Sequence, residues 1–136
     1  MKCVLVVDDD PDVLEYLSMF LQDHGYEVRV AADAGAALET LKAFSPDVIL
    51  VDVLLPGRSG LDLLVHLRRS ADWGAVPLVV VTGHDQVLQD YCQSYLGGHR
   101  DVRGPDGVLG KPLDTRALLA VVGHLSEGSR GAAAPG

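Results

Sequence analysis

A chain of 136 residues with a formal charge of −8, from 11 Lys and Arg against 19 Asp and Glu, suits one domain. At this length it can bury roughly two-thirds of the surface of its unfolded form, so it needs no disulfide or metal staples. With no Lys/Arg run longer than Arg68-Arg69 there is no nucleic-acid footprint, and direct nucleic-acid binding by this chain is not expected.

The first apolar run, Cys3 to Val7, is cut off by Asp8 and is too short for a signal peptide or a membrane span. It reads instead as the core of a strand over Lys2 to Val7. Val13, Leu14, Leu17, Phe20 and Leu21 come next at helical spacing, with Asp10 as N-cap, Pro11 at the first helical position and Gly25 just past the end. A second strand, Glu27 to Ala31, leads to a helix capped by Asp33 and carrying Ala37, Leu38, Leu41 and Phe44. The third strand is Asp47 to Val51, and Ser59 caps the helix of Leu61, Leu64, Val65 and Leu67. The fourth, Pro77 to Thr82, precedes a helical pattern of Val87, Leu88, Tyr91, Cys92, Tyr95 and Leu96. The fifth, Gly107 to Gly110, precedes a helix capped by Asp114 with Leu118, Leu119, Val122 and Leu125. Beyond Glu127 the Gly/Ala/Pro-rich segment 128–136 reads as a flexible tail or linker, which gives a domain over 1–127. Cys3 and Cys92 read as core thiols of a reducing compartment, and the expected location is cytoplasmic.

Five β-then-α units predict an α/β fold. The runs 3–7, 48–51 and 78–81 are apolar without alternation, as in parallel strands covered on both faces. Right-handed crossovers then bring the carboxyl ends of the strands to one edge, where such sheets bind ligands. On that edge fall Asp8 and Asp9, Asp52, Thr82 and, just past the fifth strand, Lys111-Pro112. Like charges repel, so three carboxylates gathered there call for a cation. Hard oxygen donors suit Mg²⁺, which takes one or two carboxylates and leaves positions for water and phosphate oxygens. A carboxylate beside such an ion can serve as a nucleophile toward phosphorus, helped by the Lys111 ammonium and the Thr82 hydroxyl. Asp10 is assigned to the helix cap alone. The histidines at 24, 66, 84, 99 and 124 have no metal-ligand spacing.

Val-Val-Asp-Asp-Asp-Pro (6–11), Pro-Asp-Val-Ile-Leu-Val-Asp-Val-Leu-Leu-Pro-Gly-Arg-Ser-Gly (46–60), Val-Val-Val-Thr-Gly-His (79–84) and Gly-Lys-Pro (110–112) together resemble response-regulator receiver domains, over residues 2 to about 126. The resemblance implies a flavodoxin-like (βα)5 sheet with strand order 2-1-3-4-5. It makes Asp52 the phosphoacceptor and Asp8, Asp9, Asp52 and the backbone carbonyl of Leu54 the Mg²⁺ ligands. Thr82 and Lys111 would contact the phosphoryl group, which a sensor histidine kinase supplies. It also makes the positions of Leu54 and His84 modulators of acyl-phosphate hydrolysis. The protein would be a signalling phosphoacceptor that catalyses only its own phosphotransfer and autodephosphorylation. It would act through an output domain or partner protein that the sequence does not name, and a homodimer stays open.

Two features depart from the family pattern. The usual switch aromatic, three residues before the lysine, is Val108 here, and the segment Gly97 to Gly107 is longer than the usual link between the fourth helix and fifth strand. These lend their only support to a rival reading, a receiver-like scaffold that binds a partner without phosphate. An aspartate-nucleophile phosphatase of the haloacid dehalogenase kind would need an acid where Leu54 stands, and a nucleotide-binding module would need a Gly-rich phosphate fingerprint that is missing.

Overall fold

In a computed structural model, which describes residues 2–57, 59–83, 86–99 and 102–133, strands and helices alternate along the chain. The strands are β1 (Cys3–Val7), β2 (Glu27–Ala31), β3 (Val48–Asp52), β4 (Leu78–Thr82) and β5 (Gly107–Gly110). The helices are α1 (Pro11–Asp23), α2 (Ala34–Leu41), α3 (Gly60–Arg68), α4 (Gln86–Gly97) and α5 (Thr115–Ala133). The strands form one parallel sheet in the order β2-β1-β3-β4-β5, the flavodoxin-like topology that the family resemblance implied.

The unbroken apolar runs are explained by this topology. Along β1 and β3, alternate residues enter opposite cores: Leu5, Val7, Ile49 and Val51 face α2 and α3, whereas Val4, Val6, Val48 and Leu50 face α1 and α5. The second core is closed by Leu17 and Leu21 of α1 and by Leu118 and Val122 of α5, all of them buried. Each such side chain contributes roughly 1.5–3 kcal/mol by leaving water.

The caps form where the side chains anticipate them. Asp10 accepts the Asp12 amide at 2.9 Å, Asp33 that of Ala36 at 2.7 Å, Ser59 that of Asp62 at 3.1 Å and Asp114 that of Arg116 at 2.8 Å. Gly25, after α1, has φ +90°, in the left-handed region that favours glycine.

Two details differ from the sequence reading and a third goes beyond it. The backbone of α5 continues to Ala133, past Glu127 where its apolar pattern ends. Cys3 and Cys92 form no disulfide and are half-buried rather than enclosed. Finally, the glycine-rich stretch before β5 is anchored. The guanidinium of Arg68, at the end of α3, is 2% exposed and donates to the carbonyls of Val76 (2.7 Å), Gly104 (3.0 Å) and Arg103 (3.1 Å). It also donates to the Asp106 carboxylate at 2.7 Å, whose same oxygen accepts the amide of Leu78 at the start of β4. Among the described residues no helix is long and apolar enough to cross a membrane.

Candidate functional site

Register brings the site together. Val7 is paired with Val51 on the central strands, so the next residues, Asp8 and Asp52, come level with one another. Strands in a sheet lie about 4.8 Å apart, so two carboxylates at this level are neighbours. Thr82 is paired with Gly110, which puts Lys111 one step beyond, and the Lys111 amide continues the β4–β5 ladder by donating to the Thr82 carbonyl at 2.8 Å. The chain leaves β1 toward β2 and returns to β3 on the other side, so Asp8 and Asp52 flank the switch point of the sheet.

The Lys111 ammonium bridges the pair, donating to Asp52 Oδ2 at 2.7 Å and to Asp8 Oδ2 at 3.2 Å. The other oxygen of each carboxylate is fixed by backbone: the Leu54 amide donates to Asp52 Oδ1 at 3.0 Å, and the Asp10 amide to Asp8 Oδ1 at 2.9 Å. Asp8 and Asp52 are buried, while Asp9 is exposed at the rim. Burial is the largest influence on the Asp8 carboxyl and holds its pKa above the usual aspartate value; the Asp10 amide and Lys111 oppose it, and the Asp52 charge adds to it. Burial works to lower the Lys111 pKa, but the hydrogen bond and charge of Asp52, then those of Asp8, outweigh it and leave the ammonium above its ordinary value.

One carboxylate oxygen from each of Asp8, Asp9 and Asp52 can be chosen so that all lie within 4.8 Å of one another. One ammonium faces these three carboxylates, leaving the cluster with excess negative charge. An all-oxygen donor set with a solvent-facing side suits a hard divalent cation such as Mg²⁺. Thr82 is buried beside the cluster, but its hydroxyl bonds to neither Asp52 nor Lys111; its contact with the Gly83 carbonyl, at 3.5 Å, is marginal. Leu54 is 62% exposed and Val108 61% exposed, and His84 lies outside the described residues.

Gly60 is a site residue that the sequence reading did not single out. Its amide donates to the Val53 carbonyl at 2.8 Å, and a Cβ there would overlap the carbonyl oxygen of Asp52. Only a residue without a side chain lets α3 start this close to the end of β3. The available signal was a glycine at the first position of a helix already capped by Ser59.

A central pair of buried aspartates bridged by a lysine, at the switch point of a 2-1-3-4-5 sheet, defines a receiver domain. The family model for the response regulator receiver domain matches residues 4–123, and the chain belongs to that family, the receivers of two-component signalling. Protein PilH of Pseudomonas aeruginosa is 31% identical over 128 residues, covering 94% of this chain and 100% of PilH. A probable transcriptional regulatory protein of Mycobacterium tuberculosis, TcrX, is 38% identical over 120 residues, but this chain, 88% covered, spans only 50% of TcrX. Among solved structures, the receiver domain of a signal transduction histidine kinase from Syntrophus aciditrophicus superposes with a TM-score of 0.81 at 26% identity, covering 94% of this chain and 92% of that one. The chemotaxis response regulator CheY4 of Vibrio cholerae gives 0.75 at 28% identity, covering 92% and 98%.

Proposed function

We propose that Asp52 accepts a phosphoryl group from the phosphohistidine of a sensor kinase, and that this chain signals through the resulting change on its α4–β5 side. The observation that carries the reading is the double anchoring of Asp52, by Lys111 on one oxygen and the Leu54 amide on the other, beside Asp8 and Asp9. A carboxylate held in one orientation by fixed partners is prepared for in-line attack, because its ordering has already been completed in the folded state. A carboxylate oxygen of Asp52 forms the new O–P bond as the N–P bond breaks, and the imidazole leaves with that electron pair.

Asp8, Asp9, Asp52 and the Leu54 carbonyl would hold Mg²⁺, which when bound neutralises charge on the phosphoryl oxygens. Lys111 keeps its proton and so offers a fixed positive charge to the transferred group. Thr82, once its hydroxyl turns toward Asp52, supplies a hydrogen bond to the same group. Loss of the phosphoryl group by hydrolysis at Asp52 resets the chain, and the exposed Leu54 stands where it can govern access of water.

The natural source is a cytoplasmic histidine kinase domain, and the recipient of the signal is a further domain or a separate protein. The receiver unit ends near residue 127, and the segment beyond it, whose first part continues α5, serves as a linker or tail. Incubation with acetyl phosphate and Mg²⁺ tests the reading: one phosphoryl group should be added, and Asp52→Asn should remove nearly all of it. Equal labelling of the variant would rule it out.

A further inference from the structure

Helix α4 is packed loosely on two sides. A cavity of about 460 Å³, lined among others by Leu61, Val80, Thr82, Cys92, Leu96 and Val108, separates it from the end of β4. A cleft of about 560 Å³ opens toward α3, lined by Asp62, Val65 and His66 on that helix and by Tyr95 and His99 on the α4 side. At this cleft the Tyr95 hydroxyl donates to Asp62 Oδ1. Tyr95 is fixed from its own side: its ring stacks on His99 with centroids 4.4 Å apart, and its carbonyl accepts from His99 Nδ1 at 2.9 Å. Asp62 stands in the first turn of α3, where its amide donates to Ser59 at 3.1 Å. That turn rests on the acceptor strand. The Gly60 amide bonds the Val53 carbonyl at 2.8 Å, and there is no room for a side chain between Gly60 and the Asp52 carbonyl. In so close a packing, a displacement of the Asp52 backbone also displaces the first turn of α3, and Asp62 with it.

We propose that the Asp62–Tyr95 hydrogen bond couples the acceptor to α4: a change at Asp52 passes through the first turn of α3 and draws α4 over the cavity beneath it. The inference rests on the acceptor reading above. It makes Tyr95 a residue of the readout, with no aromatic side chain needed at position 108. Because coupling is reciprocal, a partner that seats on α4 acts back on the affinity of the site for a phosphoryl group.

The test is hydrogen exchange of the full chain over residues 86–99 in the presence of Mg²⁺, with and without the phosphoryl mimic fluoroberyllate. Parent, Tyr95→Phe, Asp62→Ala and Asp62→Asn are compared, with saturation of each checked by calorimetry. One hydrogen bond of this kind corresponds to a change of about fivefold in an equilibrium, so the mimic should alter exchange of the parent over these residues by about that factor. Tyr95→Phe and Asp62→Ala should bind the mimic and lose most of the change, whereas Asp62→Asn, which still offers the hydroxyl an acceptor, should keep it. A merely structural bond would shift exchange equally with and without the mimic and leave the difference intact. An intact difference in Tyr95→Phe or Asp62→Ala, or its loss in Asp62→Asn as well, would overturn the coupling while leaving Asp52 as acceptor. So would a parent that binds the mimic with no change over 86–99, or a failure of Tyr95→Phe or Asp62→Ala to bind it. A parent that binds no fluoroberyllate would overturn the acceptor reading and this inference with it.

Discussion

The edge formed by β1, β3 and Lys111 and the side formed by α4 and β5 are built by opposite means. At the edge, sheet register sets the spacing, and both oxygens of Asp8 and of Asp52 carry hydrogen bonds. On the other side, α4 stands over a cavity, Val108 turns largely to solvent, and the approach to β5 is held at one end by a single buried arginine. The difference teaches that acceptance and readout place different demands on a fold. Phosphoryl transfer needs groups that do not reorganise, whereas a signal needs an element with somewhere to go.

The largest break in this comparison should come from Arg68. Arg68→Ala takes a donor from the carbonyls of Val76, Arg103 and Gly104 and leaves the Asp106 carboxylate with the Leu78 amide and Arg103, so the loss is at most about 3–5 kcal/mol, the cost of truncating one partner of a buried charge pair. Urea unfolding should register that loss, while the folded fraction still labels at Asp52. Loss of labelling in the folded protein would mean the two regions are not independent.

Gly60→Ala attacks the edge instead. The added methyl group overlaps the Asp52 carbonyl, so α3 or the end of β3 must move, at about 1–3 kcal/mol. Here labelling by acetyl phosphate should slow in the folded protein, the reverse of the Arg68 result.

A third effect is smaller and belongs to the carboxylates. Mg²⁺ at roughly tenfold excess over its dissociation constant adds about 1.4 kcal/mol to the folded state and raises the Tm by several degrees at most, with ionic strength matched by a monovalent salt. Asp9→Ala removes one exposed charge from the cluster, so the metal-free protein should keep or gain stability while most of the Mg²⁺ response disappears. Equal responses in parent and variant would remove Asp9 from the ion site. The smallest effect is expected at Val108: with its side chain largely in water, Val108→Ala should shift stability by no more than about 0.5 kcal/mol. The same variant should keep the fluoroberyllate-dependent change in hydrogen exchange across 86–99, and losing that change would restore position 108 as the switch.

Much of the edge was legible because the signals there are local. Apolar runs without alternation specify buried parallel strands, and Asp10, Asp33, Ser59 and Asp114 mark helix starts by chemistry that acts within three residues. That Asp8, Asp52, Thr82 and Lys111 share an edge is a consequence of the topology of such a sheet. The Arg68 anchor was hidden because most of its acceptors are backbone carbonyls, up to Gly104, which any sequence supplies equally, and its one carboxylate partner, Asp106, lies 38 residues away. Gly60 was hidden for a related reason: the need for it comes from a carbonyl on β3, not from its own neighbours. The stretch 97–107 stands out in the sequence only by its length, whereas the structure shows residues 103–106 tied down by a side chain from α3.

The central claim is that the doubly anchored Asp52, and not its neighbours, carries the phosphoryl group. Borohydride reduction of the protein treated with acetyl phosphate and Mg²⁺, with peptide mass spectrometry of the product, reads this directly, because an aspartyl phosphate is reduced to homoserine. The account predicts homoserine at position 52 alone. Conversion at position 8 or 9, or a label that survives as a phosphate ester on Ser59 or Thr82, would contradict it.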